Sequence, residues 1–247
     1  MKDGKIMQEE RFGSLKARLT GGLDREGGGA GPVVLLMHGF GAPGDDLVSL
    51  WRLLDVPSET RFVFPEAPLE LNFGFGDSRA WWMLDMERMA RERALGHWRE
   101  LIQEVPKGLQ PVRERVVEAV TQIMQTLHVT PEQMIIGGFS QGAILACDMA
   151  LRTDFPFAGL ILMSGTMVAQ DEWLPLIPNR KEFAVFQSHG TDDPILSWET
   201  AIHLRDTLRN GGLDVQWVEF RGGHEIPLPV LEQESLFIRH QLYHEAE

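Results

Sequence analysis

Residues 137–142 read GGFSQG, and the hydrophobic period changes across them. Met134, Ile135 and Ile136 form a short apolar run suited to a strand, while Ala143, Ile144, Cys147, Ala150 and Leu151 recur behind at helical spacing. Ser140 therefore stands at a strand-to-helix corner. Gly138, Ser140 and Gly142 fit G-x-S-x-G, in which small neighbours permit a strained serine backbone and leave the hydroxyl projecting above a sheet edge. A helix starting directly behind the serine turns its unpaired N–H groups and positive dipole end toward developing negative charge. Glycine-flanked serines also occur in plain turns, so the corner acquires chemical meaning only from its partners.

Outward from this corner, short apolar runs alternate with longer periodic ones, which predicts an α/β fold with a mostly parallel central sheet flanked by helices. Strands are expected over Val33–Met37, Arg61–Phe64, Met134–Gly138, Ala158–Met163, Phe183–Ser188 and Val215–Phe220, with RFGSLKARL adding one near the N-terminus. Helices are expected over Pro111–Leu127, with Pro111 suited to the first turn, over Ser197–Leu208, stopped by Gly211 and Gly212, and over about Val230–His244. The glycine clusters GGGAG at 27–31 and FGFG at 73–76 read as turns. The first lacks a Gly-Lys-Ser/Thr ending and the second does not open a helix.

The chain has 247 residues, 43% hydrophobic and 24% charged, the composition of an ordinary soluble protein large enough for one domain with a sizeable core. A net charge of −13, with no clustering of basic residues, argues against a nucleic-acid partner. The single cysteine, Cys147, cannot form an internal disulfide and falls on the apolar stripe behind Ser140, where it reads as a small buried hydrophobe. The charged N-terminus lacks the apolar core of a signal peptide, no apolar run reaches membrane-spanning length, and none of the three asparagines opens a glycosylation sequon. Cytoplasmic residence without stable membrane insertion is the expectation. Metal-ligand spacing is absent: HEIPL at 224–228 begins like a zinc-protease motif but has Leu228 where a second histidine must stand.

A serine hydroxyl becomes a useful nucleophile only beside a base that takes its proton and donors that hold the resulting oxyanion. His224 follows the last expected strand, behind two glycines that let its loop fold back over the sheet edge, and is the candidate base. His38 and His189 each precede a glycine at a strand end and read as loop braces. His97, His128, His203, His240 and His244 read as surface positions. Asp192 and Asp193 lie just past a strand between serine and base. Pro194 restricts the backbone of Asp193, which makes it the candidate acid, with turn capping the role left to Asp192. The expected oxyanion donors are the backbone N–H of Gln141 and, from the loop after the first core strand, that of Phe40.

The blocks LLMHGFGAPGDD, PEAPLELNFGFGDSRAWWMLD, GGFSQGA, HGTDDPIL and GGHEIP occur in the order and approximate spacing of the phospholipase/carboxylesterase family of α/β-hydrolases, which includes acyl-protein thioesterases. The chain resembles that family from about Val33 to Pro227. The resemblance implies a cofactor-free serine hydrolase of small-molecule carboxylic esters or thioesters, many relatives being homodimers. It also implies Ser140, Asp193 and His224 as the triad, Phe40 and Gln141 as oxyanion donors, and Trp81 and Trp82 near the acyl site. Met167, after a strand end, is a further pocket candidate.

Two features depart from the family. Ala143 replaces a glycine common at that position. Residues 86–110 form a longer insertion, with Met86, Met89, Leu95, Trp98, Leu101 and Ile102 at near-helical spacing, either a lid-like helical flap on one domain of residues 1–247 or a helix packed on its body. The readings left open are a carboxylesterase, an acyl-protein thioesterase or lysophospholipase, and a non-catalytic ligand-binding protein that kept the fold.

Overall fold

The alternation of apolar runs predicted from sequence becomes one eight-stranded sheet. The computed structural model describes residues 7–71 and 77–243; the expected turn at 73–76 and His244 lie outside them. The sheet is built from β1 (Gln8–Phe12), β2 (Leu15–Gly21), β3 (Val33–Met37), β4 (Arg61–Pro65), β7 (Met134–Phe139), β8 (Gly159–Met163), β9 (Ala184–Gly190) and β10 (Asp214–Phe220). Their order is β1-β2-β4-β3-β7-β8-β9-β10, antiparallel at β1–β2 and β2–β4 and parallel from β4 to β10. A separate two-stranded ribbon pairs β5 (Leu69–Leu71) with β6 (Ser78–Ala80). After β3 the chain goes to β4 on one side and later to β7 on the other. The carboxyl ends of β3 and β7 therefore flank a topological switch point, where open α/β sheets leave a crevice for a ligand.

Both faces of the sheet are buried, and strand periodicity divides the core between them. Val33, Leu35 and Met37 of β3 belong to one apolar cluster, together with α3 (Leu109–Leu127) and α4 (Gln141–Arg152). Val34 and Leu36 belong to the other, with Phe62, Phe64 and α7 (Leu228–Tyr243). The remaining helices are α1 (Met86–Ala94), α2 (Trp98–Gln103), α5 (Gln170–Trp173) and α6 (Trp198–Asn210). Among the described residues no helix is long and apolar enough to cross a membrane.

The expected strands and long helices are present with shifted ends. The N-terminal stretch differs: RFGSLKARL contains not one strand but the turn of a hairpin, Phe12 pairing with Leu15 around Gly13 at φ +57°. Helix α3 starts two residues before Pro111, which keeps its place in the first turn. Cys147 is fully buried, as expected; burial, with the nearby Asp148 charge adding to it, pushes its thiol pKa up. Asp148 is also fully buried. It accepts from Arg113 of α3 at 2.6 Å, Arg152 of α4 at 2.8 Å and the Trp173 indole at 2.8 Å, tying three helices together.

Glu234 sits on the buried face of α7 with neither carboxyl oxygen hydrogen-bonded to any described residue, and burial pushes its pKa up to about 8. Between the ordinary value of 4.5 and about 8 the folded protein holds a proton that the unfolded chain has released, so this group's contribution to stability falls as pH rises through that window. Glu234→Gln removes the titration. Thermal melts are expected to show the wild type losing stability relative to the variant from pH 5 to 8, by at most about 4 kcal/mol. Parallel melting curves for the two proteins would refute this.

Candidate active site

The corner at Ser140 is built by close approach. Strand β7 ends at Phe139 and α4 begins at Gln141, with Ser140 between them at φ +55°, ψ −117°. A Cβ on Gly138 would stand 2.4 Å from the Met37 carbonyl oxygen, and one on Gly142 only 2.0 Å from it. Neither position accepts a side chain, so the glycines of the motif are set by the neighbouring end of β3. Ser140 N–H donates to the Met163 carbonyl at 2.8 Å, and the Ser140 carbonyl accepts from Ile144 N–H at 3.1 Å, fixing the serine between β8 and the first turn of α4.

Asp193 follows β9 and is 7% exposed. Its Oδ1 accepts from the backbone N–H of Ile195 at 2.8 Å and Leu196 at 3.0 Å, leaving Oδ2 to meet His224 Nδ1 at 2.6 Å. Burial raises the pKa of this carboxyl, but the hydrogen bond and charge of His224 and the two backbone donors outweigh it, and the net shift is downward. The carboxylate is thus held ionised against the imidazole. The His224 ring also packs on Phe139, with centroids 4.7 Å apart, directly before Ser140 in the chain. Asp192 is exposed, its N–H donating to the Gly222 carbonyl, and it has no contact with His224.

Ser140, His224, Phe40 and Gln141 all line one cavity of about 410 Å³ at the carboxyl ends of β3 and β7. Trp82 and Met167 line it too, as expected. Trp81 does not: it is 1% exposed in the core and sends its indole N–H to the His38 carbonyl at 2.8 Å. Both tryptophans follow β6 and are buried in the same apolar cluster, but only Trp82 reaches the cavity. Phe139, Ile144, Ile195 and Thr166 also contribute to the lining; Phe139 and Ile195 lie inside recognised blocks but as residue types carry no chemistry that would have marked them.

The insertion forms α1 and α2, and Met86, Met89, Trp98, Leu101 and Ile102 wall the cavity. Leu95, expected on the same face, is 60% exposed. Helix α1 has no buried side chain; Asp85 caps it by accepting from Arg88 N–H at 2.9 Å, and Arg93 reaches the Pro194 carbonyl next to Asp193.

His38 and His189 are buried and bonded to loop carbonyls, Gly39 at 2.8 Å and Leu196 at 2.9 Å, in keeping with bracing roles. Burial lowers both pKa values. His203 is a half-buried packing partner of Trp98 in α2, with ring centroids 5.7 Å apart, and not the plain surface residue expected. Among the described residues no group of three or more His, Cys, Asp or Glu side chains could hold a metal ion.

The mostly parallel sheet, the strand–serine–helix corner and the Asp193–His224 pair at the switch point define an α/β-hydrolase. The family model for Phospholipase/Carboxylesterase matches residues 26–242. The chain belongs to the phospholipase/carboxylesterase family and is a carboxylic ester hydrolase. It is 24% identical over 231 residues to acyl-protein thioesterase 1 of Neurospora crassa, covering 85% of this chain and 86% of that one. With acyl-protein thioesterase 1 of Kluyveromyces lactis it shares 29% identity over 170 residues, 66% of this chain and 70% of the relative. The crystal structure of esterase PE8 superposes with a TM-score of 0.76 at 26% identity, covering 92% of this chain and 99% of that one. The Bacillus cereus carboxylesterase, at 18% identity, covers 92% of this chain and 95% of its own with a TM-score of 0.69 and shares the fold.

Proposed function

We propose that Ser140 is the nucleophile of an acyl-enzyme mechanism on carboxylic esters. Its Oγ adds to the ester carbonyl carbon as His224 takes the hydroxyl proton. Asp193 keeps Nδ1 of the imidazole protonated and turned toward itself, and the Phe40 and Gln141 N–H groups hold the oxyanion. Collapse of the intermediate expels the alcohol, which receives the proton from His224. Water then repeats the sequence on the acyl-serine and releases the acid. The observation that carries this reading is the 2.6 Å bond from a buried Asp193 to His224, which lines the same cavity as Ser140.

The names of the fungal relatives support a second substrate within the same chemistry, the thioester of an acylated protein, whose carbonyl passes through the same kind of tetrahedral intermediate. The reading takes residues 1–247 as one domain in the cytoplasm, with a homodimer the assembly that many relatives in the family adopt. It takes α1 and α2 as a lid: α1 buries nothing, and Gly96 between the helices, at φ +76°, has open space where a Cβ would stand.

Ser140→Ala is expected to lower turnover of p-nitrophenyl acetate by about 10⁴-fold or more with an unchanged melting temperature. A fluorophosphonate should label the wild type at Ser140 and spare the variant. A folded wild type that resists the label would make the protein a ligand-binding member of the fold. The methionine-rich wall predicts that kcat/KM climbs with acyl length by up to about fourfold per buried methylene, from about 0.8 kcal/mol each, until the cavity is filled. Values that are flat or falling from acetate upward would place the chain outside the cavity. If α1 and α2 close over substrate, the phosphonate adduct slows amide exchange across residues 86–103; unchanged exchange there would identify a fixed wall.

A further inference from the structure

The two proposed oxyanion donors come from loops far apart in the chain, Phe40 after β3 and Gln141 at the start of α4. An oxyanion hole works only if both N–H groups stand about 2.7–3.1 Å from the developing charge. Neither loop can set that spacing by itself.

A path of buried hydrogen bonds runs from one to the other. The Gln141 side chain spans the two tryptophans: its Oε1 accepts from Trp81 N–H at 2.9 Å, and its Nε2 donates to the Trp82 carbonyl at 2.8 Å. The Trp81 indole then donates to the His38 carbonyl at 2.8 Å. His38 Nε2 accepts from Ala67 N–H at 3.1 Å, so the ring proton of the neutral imidazole is on Nδ1, which donates to the Gly39 carbonyl at 2.8 Å. That carbonyl and the Phe40 N–H belong to one planar peptide and point in opposite directions, so holding the oxygen aims the hydrogen. Gln141 and Trp81 are 1% exposed and His38 is 2% exposed, which removes water as a competitor for these bonds. The Trp81 and His38 rings pack together, with centroids 5.5 Å apart.

Building on the catalytic reading above, we propose that Trp81 is a positioning residue, a strut whose backbone is held by the Gln141 side chain and whose indole holds the His38 carbonyl, fixing the spacing of the two oxyanion donors. It is outside the cavity lining, so its removal takes no contact from the substrate. Loss of the strut lets the Phe40 peptide drift. The tetrahedral intermediate is weakened while ground-state binding is retained, so the loss falls on kcat.

Trp81→Phe deletes the indole N–H. Replacement of Trp81 by 3-benzothienylalanine deletes the same donor within an almost unchanged ring outline and decides the matter if the phenylalanine variant folds poorly. Trp173→Phe is the control, removing a comparable buried indole bond to Asp148 away from the cavity. Both Trp81 replacements are expected to lower kcat for p-nitrophenyl acetate by about ten- to a hundredfold, with KM within about twofold of wild type. They should weaken a trifluoromethyl ketone, which forms an oxyanion on Ser140, by a similar factor. The pH midpoint of kcat/KM should stay in place, because the Asp193–His224 pair is untouched. Trp173→Phe should melt lower yet retain kcat.

Wild-type kcat in the benzothienylalanine protein, a rise in KM at constant kcat, or an equal kcat loss in Trp173→Phe would overturn the strut. Wild-type protein inert to both ester and fluorophosphonate would overturn the triad reading beneath it. An active, labelled wild type beside an indifferent Trp81 variant would overturn the strut alone.

Discussion

The carbonyl oxygen of Met37 constrains everything around it. It ends β3 so close to the serine corner that neither Gly138 nor Gly142 could carry a Cβ. This contact brings the loop bearing Phe40 against the corner bearing Ser140, whose own backbone, at φ +55°, costs on the order of 1–3 kcal/mol. The surrounding structure offsets that cost. Every residue from Gln141 to Leu151 is buried, and Arg113 of α3 binds Asp148 of α4 at 2.6 Å. The corner is rigid because the helix behind it has no free face.

Three buried carboxyl groups show how differently the same chemistry is used. Asp148 is neutralised by two arginines and serves packing. Glu234 has no partner among the described residues and keeps its proton to near pH 8. Asp193 has two backbone donors on one oxygen and an imidazole on the other, which leaves it ionised and directional. Only the third arrangement can orient a base: the backbone bonds occupy Oδ1, and Oδ2, with His189 Nε2 also 3.4 Å away, makes its short 2.6 Å bond to His224.

Local order made much of this legible in the sequence. The change of period at Ser140, the glycines around it and the Asp-Asp-Pro turn are nearest-neighbour features, and each landed within a residue or two of its expected place. The N-terminal hairpin was hidden because the strand leading into its Gly13-Ser14 turn, QEERF, is mostly charged and exposed and offers no apolar run. Trp81 and Trp82 are identical to sequence reasoning, since which one faces the cavity depends on long-range contacts such as those of the Gln141 side chain with both backbones. The role of the Gln141 side chain was beyond reach for the same reason: its partners come from a segment about sixty positions away, and nothing near Gln141 announces them.

The division between chemistry and selectivity follows from these packing rules. The candidate catalytic groups sit at strand ends or one loop beyond them, where the sheet register fixes them within narrow limits. Much of the cavity's apolar wall instead belongs to residues 86–103, whose first helix buries no side chain and can change in sequence or position without disturbing the sheet. The acyl group would thus be measured by a lightly anchored segment while its carbonyl is held by a rigid one. Arg93 joins the two where it meets the Pro194 carbonyl, beside the aspartate that orients the imidazole. A substrate long enough to displace α1 would have to break that contact.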